Sequence, residues 1–143
     1  MPEIVHTAHD MISGMTPVMR PDLYIFATMT DPDLITELLP KAISTFKEDE
    51  GVSMLVPLDL AKKSKLAVDH PMHCITLNVY SSLEGVGLTA AVASALGENG
   101  IPCNMVAAFH HDHVFVPSEM GERAMEVLMT LQSQSAQEIA DKS

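Results

Sequence analysis

The four residues HHDH, within the stretch AFHHDHVFVP, form the densest cluster of reactive side chains in the chain. Imidazole and carboxylate groups are common zinc ligands, so this stretch could contribute to a metal site. If a hairpin turn centres on His111 and Asp112, His110 and His113 lie opposite each other; if the strand continues further, His111 and His113 share a face. A structural zinc site needs about four protein ligands and a catalytic one about three, and the sequence fixes no third ligand. A hairpin turn with polar tips is therefore the favoured interpretation, and no metal is predicted.

A second stretch with binding chemistry is SSLEGVGLTA, which predicts the start of a helix. Ser81 or Ser82 can cap this helix, and Gly85 and Gly87 leave the backbone N–H groups of its first turn accessible. Free N–H groups and the positive end of the helix dipole can bind a carboxylate or another anion. The same glycines could serve only to let the helix pack tightly on a sheet, and the two interpretations are compatible.

The acidic run KEDEG, from Lys47 to Gly51, is the third candidate. Its carboxylates could bind a cation or act in general acid–base catalysis, but three successive acidic residues at a hairpin tip are more typical of a solvated turn. That turn is the favoured interpretation. If the two halves of the chain face each other, Glu48 or Glu50 could reach the amino group of a ligand.

The composition restricts the classes of partner. The chain has 143 residues, with 8 basic against 19 acidic side chains and a net charge of −11. Such a surface repels phosphate backbones and anionic membranes, so we expect neither nucleic acid nor a membrane as a partner. No secretory signal and no apolar run of about 18 residues is visible, which predicts a cytoplasmic protein.

The elements that position these stretches occur twice along the chain. LYIFATM predicts a strand, Asp31 and Pro32 begin a short helix, and AISTFKEDEGVSMLVP predicts a hairpin followed by a second helix. HCITLNVY, the helix after SSLEGVG, the hairpin IPCNMVAAFHHDHVFVP and the amphipathic helix SEMGERAMEVLMTL repeat this order. Each half reads βαββα and needs one closing strand, from the other half or from the N-terminal segment, to become βαββαβ.

The predicted fold class is therefore α+β, with two ferredoxin-like βαββαβ repeats in tandem and helices on one face of antiparallel sheets. The predicted division is an N-terminal extension at 1–14, repeat 1 at 15–70, repeat 2 at 71–133 and a polar tail at 134–143. Met105 to Phe109 are all apolar, so both faces of that strand are expected to be buried. Cys74 and Cys103 lie on strands that are not neighbours in this topology, so no disulfide between them is expected.

The second repeat carries a resemblance. ITLNVYSSLEGVGLTAAVASALGENGIPCNMVAAFHHDHVFVP, followed by a helix, resembles the second repeat of a family of small tandem ACT-domain proteins of unassigned function, and TFKEDEGVSMLV resembles the hairpin of the first. The resemblance covers about Met15 to Leu131. It implies ferredoxin-like domains that pair side by side and bind amino acids or similar small effectors at the interface.

The resemblance also implies a ligand at the loop between the first strand and first helix of the second repeat. Gly85 departs from the family pattern, because a residue with a side chain is expected there. One turn histidine, His110 or His113, is expected to line the same pocket as a hydrogen-bond partner or a pH-sensitive group. The implied ligand-binding residues are Ser81, Ser82, Glu84, Gly85, Val86, Gly87, Leu88, Thr89 and Asn104, together with His110 and His113.

The leading functional hypothesis is a regulatory, non-catalytic module that binds an amino acid or a related small carboxylate. It is expected to be an allosteric homodimer without a cofactor and without catalytic residues. One alternative is a metal-binding protein or enzyme that uses the HHDH hairpin. Another is a pure oligomerisation module, in which the apolar strand serves only to pair subunits.

Overall fold

A computed structural model describes residues 14–78 and 87–142. The elements follow in the order βαββαβαββα. The strands are β1 (Thr16–Met29), β2 (Ser44–Lys47), β3 (Val52–Pro57), β4 (Met72–Asn78), β5 (Asn104–Ala107) and β6 (Asp112–Pro117); the helices are α1 (Pro32–Leu38), α2 (Leu58–Lys63), α3 (Leu88–Glu98) and α4 (Gly121–Lys142).

The chain divides into two compact units. The N-terminal unit is Pro21–His73, and the C-terminal unit combines the residues before Pro21 with those from Cys74 onward. Strand β1 crosses the boundary and contributes to both units. The predicted residue boundaries of the two repeats stay a prediction.

In the N-terminal unit the strand order is β2-β3-β1. Strand β1 pairs antiparallel with β3 from Tyr24 opposite Pro57 to Met29 opposite Val52. Helix α1 begins as the sequence predicts, because the Asp31 side chain accepts a hydrogen bond from the Asp33 N–H at 3.0 Å and a proline follows the cap. The helices cover an apolar core made of Ile25, Met29, Leu38, Met54, Val56 and Ala61.

In the C-terminal unit the strand order is β1-β4-β6-β5. The part of β1 before Pro21 supplies the strand beside β4, and Met19 from that part packs against the core. The missing fourth strand therefore comes from the N-terminal segment, and the order becomes the 4-1-3-2 arrangement of a ferredoxin-like unit. The core is made of Met15, Ile75, Leu77, Leu88, Val92, Leu96, Ile101, Val114, Val116, Ala124 and Leu128.

The predicted α+β fold of tandem ferredoxin-like repeats is confirmed, with two differences of detail. Strand β5 ends at Ala107 and lies at the end of the strand order, so its side chains are only half-buried or exposed, and Phe109 is 75% exposed. The expectation that both faces of this strand are buried is wrong for a single chain. Helix α4 continues to Lys142, through the segment predicted as a polar tail.

Both cysteines are free thiols, as the topology predicts. Burial raises the pKa of Cys74 above its ordinary value, although the Arg20 charge and a hydrogen bond with Thr76 act in the opposite direction. Burial also raises the pKa of Cys103. Among the described helices, none combines the length and the apolar character needed to span a membrane.

Candidate functional site

The HHDH stretch lies at a turn that joins β5 to β6. Ala107 pairs with Asp112, and the Ala108 N–H donates a hydrogen bond to the His111 carbonyl at 3.0 Å, so the turn is Ala108–His111. The geometry in which His110 and His113 oppose each other is wrong, because Asp112 already belongs to the strand. His111 is the last residue of the turn, whereas His113 lies on β6.

His113 connects the hairpin to β4. Its Nδ1 atom lies 3.0 Å from the Thr76 hydroxyl oxygen, a hydrogen bond between two half-buried side chains. Burial lowers the pKa of His113 below 6.5, and the nearby Arg20 and His111 lower it further. The imidazole is therefore uncharged at neutral pH and keeps one ring nitrogen able to accept a hydrogen bond.

Two further groups at the base of the turn are unusual because they are polar and buried. The His111 Nδ1 atom is buried and has no hydrogen-bond partner within the part of the chain that the structure describes. Asp112 is only 8% exposed. Burial raises the pKa of Asp112 above 3.8, and the adjacent His111 partly offsets this effect. Buried polar groups are normally satisfied, so an unpartnered imidazole nitrogen indicates a place where a further hydrogen-bonding group can dock.

The start of α3 lies at the same end of the sheet as this turn. The residues after α3 lead into β5, whose first residue Asn104 pairs with Phe115, away from the turn. Helix α3 has 11 residues and is about 16 Å long, so its first residue lies at the opposite end of the sheet, which is the end that carries the turn. Asn104 itself is three residues from Ala107 and therefore about 10 Å from the turn.

Among the residues that the structure describes, no side chain caps the start of helix α3. The N-cap residue is Gly87, with φ of 108°, and no described side chain accepts a hydrogen bond from the first turn. That backbone conformation favours glycine. Leu88 is buried in the core and Thr89 is half-buried. The predicted residues Ser81, Ser82, Glu84, Gly85 and Val86 lie outside the described residues.

The matching end of the N-terminal unit has the same register but different contacts. The two hairpins correspond with a shift of 60 positions, so Lys47 paired with Val52 matches Ala107 paired with Asp112. In this unit the turn is Glu48–Gly51, with backbone hydrogen bonds of 3.0 and 3.3 Å between its end residues. The Glu48 carboxylate also accepts a hydrogen bond from Ser53, so this turn is closed by its own side chains.

Gly51 lets the turn of the N-terminal unit lie close to the end of β1. His111 stands at the matching position of the C-terminal unit. A Cβ atom on Gly51 would lie 2.9 Å from the Met29 carbonyl oxygen and 3.2 Å from the Thr28 hydroxyl oxygen. The turn of the N-terminal unit therefore rests directly on the end of β1. The corresponding residue of the C-terminal unit presents an imidazole instead.

The structure joins Thr76 to His113 by a hydrogen bond, and Asn104 lies away from the turn. The neighbouring residues Ile75, Leu77 and Val114 belong to the core that α3 covers, so Thr76 and His113 point to the opposite face of the sheet. His110 is exposed at the tip of the turn, where its ring contacts Phe109 edge to face with ring centres 5.0 Å apart. Sequence reasoning did not select Thr76 or His111. The signal for Thr76 was a single hydroxyl within the apolar strand HCITLNVY, whereas nothing in the sequence distinguished His111 from its neighbour.

Metal chemistry receives no support from the described residues. Within residues 14–78 and 87–142, no group of three or more histidine, cysteine or acidic side chains is placed to hold a metal ion. A cavity of about 410 Å³ lies between α3 and α4, away from the turn, and its lining includes Ala95, Arg123 and Glu126.

Comparisons with known proteins cover nearly the whole chain. Residues 6–73 match one model of the ACT domain, and residues 69–130 match a second. A search of curated proteins gives no match. These results place two consecutive ACT-type matches on the chain, in agreement with the repeated elements.

Several solved structures resemble this chain. A crystal structure of a Vibrio cholerae protein of unknown function, described as a possible transport protein, shares 35% identity with a TM-score of 0.73 and covers 82% of this chain and 90% of that chain. A protein from Agobacterium tumefaciens shares 20% identity with a TM-score of 0.61, covering 82% and 89%. The ligand-free regulatory subunit of aspartate kinase from Thermus thermophilus shares 10% identity with a TM-score of 0.58, covering 82% and 97%. At such low identity the last two show the fold alone.

Proposed function

The chain belongs to the ACT-domain family, as a tandem of two ACT domains, and from this premise we propose that it is a non-catalytic regulatory protein that binds an amino acid or a related small carboxylate. The proposed site is the end of the C-terminal unit formed by the start of α3, the end of β4 and the β5–β6 turn. The observation that carries the proposal concerns the described residues: none of their side chains caps the helix start at Gly87, and none of them is a hydrogen-bond partner of the buried His111 Nδ1 atom.

The chemistry of this end suits a zwitterion. The first-turn N–H groups of α3 and the positive end of its dipole favour a carboxylate. A neutral imidazole nitrogen can accept a hydrogen bond from an ammonium group, and the His111 Nδ1 atom has no partner among the described residues. Glycine at position 87 leaves the backbone accessible. His111 is added to the predicted ligand residues, whereas Thr76 and His113 lie on the other face of the sheet. The predicted residues that remain part of this proposed site are Ser81, Ser82, Glu84, Gly85, Val86, Gly87, Leu88 and Thr89.

Regulation would follow from differential binding. A ligand that binds one arrangement of the protein more tightly than another shifts the population toward the first, and the shift cannot exceed the difference in binding free energy. We place this activity in a cytoplasmic homodimer. The aspartate kinase neighbour is itself a regulatory subunit, which supports a regulatory role for a chain of this fold.

A thermal-shift survey tests the proposal. Purified protein is heated with each of the common amino acids and with simple mono- and dicarboxylates. At least one compound is expected to raise the melting temperature in a concentration-dependent way, because a ligand that binds only the folded state stabilises it. If no compound changes the melting temperature at any concentration, the proposed ligand class is wrong.

Two neighbouring histidines provide the matched variants. His111→Ala removes the buried nitrogen, and we expect it to weaken binding of the identified compound by about tenfold or more in calorimetry. His110→Ala changes the same residue type one position earlier, where the side chain is exposed, and should leave the affinity within about twofold. Equal effects of the two variants would contradict the proposed site.

A further inference from the structure

The groove between α3 and α4 lies at the other end of the C-terminal unit from the β5–β6 turn. The two helices pack against each other over one core. The chain leads from α3 to Asn104, which pairs with Phe115 away from the turn, and β6 continues from Phe115 toward the start of α4. The end of α3 and the start of α4 therefore lie together, opposite the turn that carries His111. An inference about this groove does not rest on the proposed function.

The cavity in this groove is elongated and has apolar walls. It has a volume of about 410 Å³, and sites for small molecules commonly have volumes of about 300–1,000 Å³. Its lining extends along α4 from Arg123 to Gln134, which is about 16 Å of helix. Val127 and Leu131 are half-buried in this lining and pack against the core, and α3 contributes the half-buried Ala95. The cavity therefore suits an elongated molecule with an apolar middle part.

Charged side chains of both signs line the cavity. Glu98 on α3 and Glu126 on α4 provide carboxylates, and Arg123 on α4 provides a guanidinium group. None of the three forms an ion pair with another residue that the structure describes. All three are exposed, so each can pair with a charged group that enters from solvent. A molecule with one ammonium and one carboxylate group can satisfy both signs through charge-assisted hydrogen bonds.

The end of α3 favours a cation. Glu98 is the last residue of this helix, and the last turn contains no basic residue. The final carbonyl groups make this the negative end of the helix dipole, so the Glu98 carboxylate adds negative charge where a positive charge is stabilising. Asn99 donates a hydrogen bond from its Nδ2 atom to the Ala95 carbonyl at 2.8 Å, which leaves its Oδ1 atom as an acceptor. An ammonium group at this end would relieve the excess of negative charge.

We propose that this groove binds a short aliphatic chain with an ammonium group at one end and a carboxylate at the other. The ammonium group pairs with Glu98 at the end of α3, and the carboxylate pairs with Arg123 on α4. The carbon chain lies on the apolar side chains of Val127 and Leu131. The axes of packed helices are about 8–10 Å apart, so charges on two different helices favour ligand charges that are several bonds apart. In an α-amino acid the two charges are too close together for this.

An NMR titration with ε-aminocaproate tests the proposal. The methyl signals of Ala95, Val127 and Leu131 should shift in a saturable way, because these side chains line the cavity. Caproate lacks the ammonium group, hexylamine lacks the carboxylate, and norleucine is an isomer of the probe with both charges at one end. Each of these three compounds should bind about tenfold or more weakly than ε-aminocaproate, because each loses one charge-assisted contact.

Substitutions on the two helices locate the binding. Arg123→Gln and Glu98→Gln should each weaken binding of ε-aminocaproate by about tenfold or more. Glu122→Gln, at an exposed neighbour outside the cavity lining, should leave the affinity within about twofold.

Three results would overturn the proposal: methyl signals that do not shift, a single-charge compound or norleucine that binds as tightly as the probe, or an affinity that neither Arg123→Gln nor Glu98→Gln changes. His111→Ala should leave this affinity unchanged. Binding that depends on His111 and not on Arg123 would overturn the groove and leave the proposed function standing, so the two failures are distinct.

Discussion

The two hairpins of this protein share one register but complete their ends in different ways. In the N-terminal unit, Gly51 lets the turn rest on β1, and the Asp31 side chain caps the adjacent helix. In the C-terminal unit, His111 stands at the position of Gly51, and Gly87 begins helix α3, for which no described residue provides a side-chain cap. One end satisfies its backbone groups internally, whereas at the other the described residues provide no partner for the His111 Nδ1 atom and no side-chain cap for the helix, and this is the end at which we propose that a ligand binds. The comparison teaches that a duplicated fold can keep one end structural and the other available for binding.

The largest expected effect comes from filling the space at Gly51. Gly51→Ala places a Cβ atom 2.9 Å from the Met29 carbonyl oxygen, so the turn must move away from β1. We expect the free energy of unfolding to fall by about 1–3 kcal/mol, measured by urea unfolding. Glu50→Ala, on the exposed neighbour, is the control. If the two variants unfold at the same urea concentration, the close contact of the turn with β1 contributes nothing to stability.

Asp112→Val introduces the residue found at the matching position 52. We expect it to raise the free energy of unfolding, by less than Gly51→Ala lowers it. Burial raises the pKa of Asp112 in the folded protein above 3.8. The folded state therefore binds more protons than the unfolded state between pH 3.8 and that raised pKa, and native stability falls as the pH rises through this window. Removing the carboxylate should stabilise the protein at neutral pH by on the order of 1 kcal/mol.

The control for Asp112→Val is Asp49→Asn, because Asp49 is exposed on the other turn. Unfolding experiments at acidic pH values should show that the free energy of unfolding falls as the pH rises above 3.8, both in the native protein and in Asp49→Asn. This decrease should be absent in Asp112→Val. A decrease in stability for Asp112→Val at neutral pH would mean that the carboxylate has a favourable partner.

The helix cap of the N-terminal unit provides the third prediction. Asp31→Ala removes the hydrogen bond to the Asp33 N–H and should lower the free energy of unfolding by about 1 kcal/mol. The affinity for a ligand bound at the C-terminal unit should not change. The comparison variant is Glu37→Ala, an exposed position of the same helix, and a loss of ligand affinity in Asp31→Ala would indicate that both units bind ligand.

The smallest effect is expected at His113. Its pKa is lowered below 6.5 in the folded protein, chiefly by burial, so the unfolded state binds more protons between the lowered pKa and 6.5. This contribution to stability is complete above pH 6.5 and is lost as the pH falls toward the lowered pKa. His113→Gln should remove the dependence of the free energy of unfolding on pH just below pH 6.5, measured by unfolding at a series of pH values. His110→Gln, at the exposed tip of the turn, should leave that dependence unchanged. A native profile without this slope would contradict a buried neutral His113.

Much of the fold could be predicted from the chain because local signals agreed with the tertiary arrangement. The Asp31–Pro32 start of α1 and the two hairpins follow from capping and turn chemistry. The N-terminal segment was one of two predicted sources of the fourth strand of the C-terminal unit. The sequence could not choose between them, because Pro21 and Asp22 suggest a break between the two halves of β1. The long strand forms because its two halves pair within different units, which is information that no local window contains.

For the candidate site, the sequence by itself determined which chemical groups are available: three histidines and an aspartate at a turn, and a glycine at the start of a helix. Only the tertiary structure decided which of them meet. The length of the turn sets the register of β6, and a shift of one residue would move every side chain of that strand to the other face of the sheet. In the observed register His113 is the partner of Thr76, and His110 is exposed in the turn. Burial, which depends on neighbours distant in the chain, then made His113 neutral and left the His111 Nδ1 atom without a partner among the described residues.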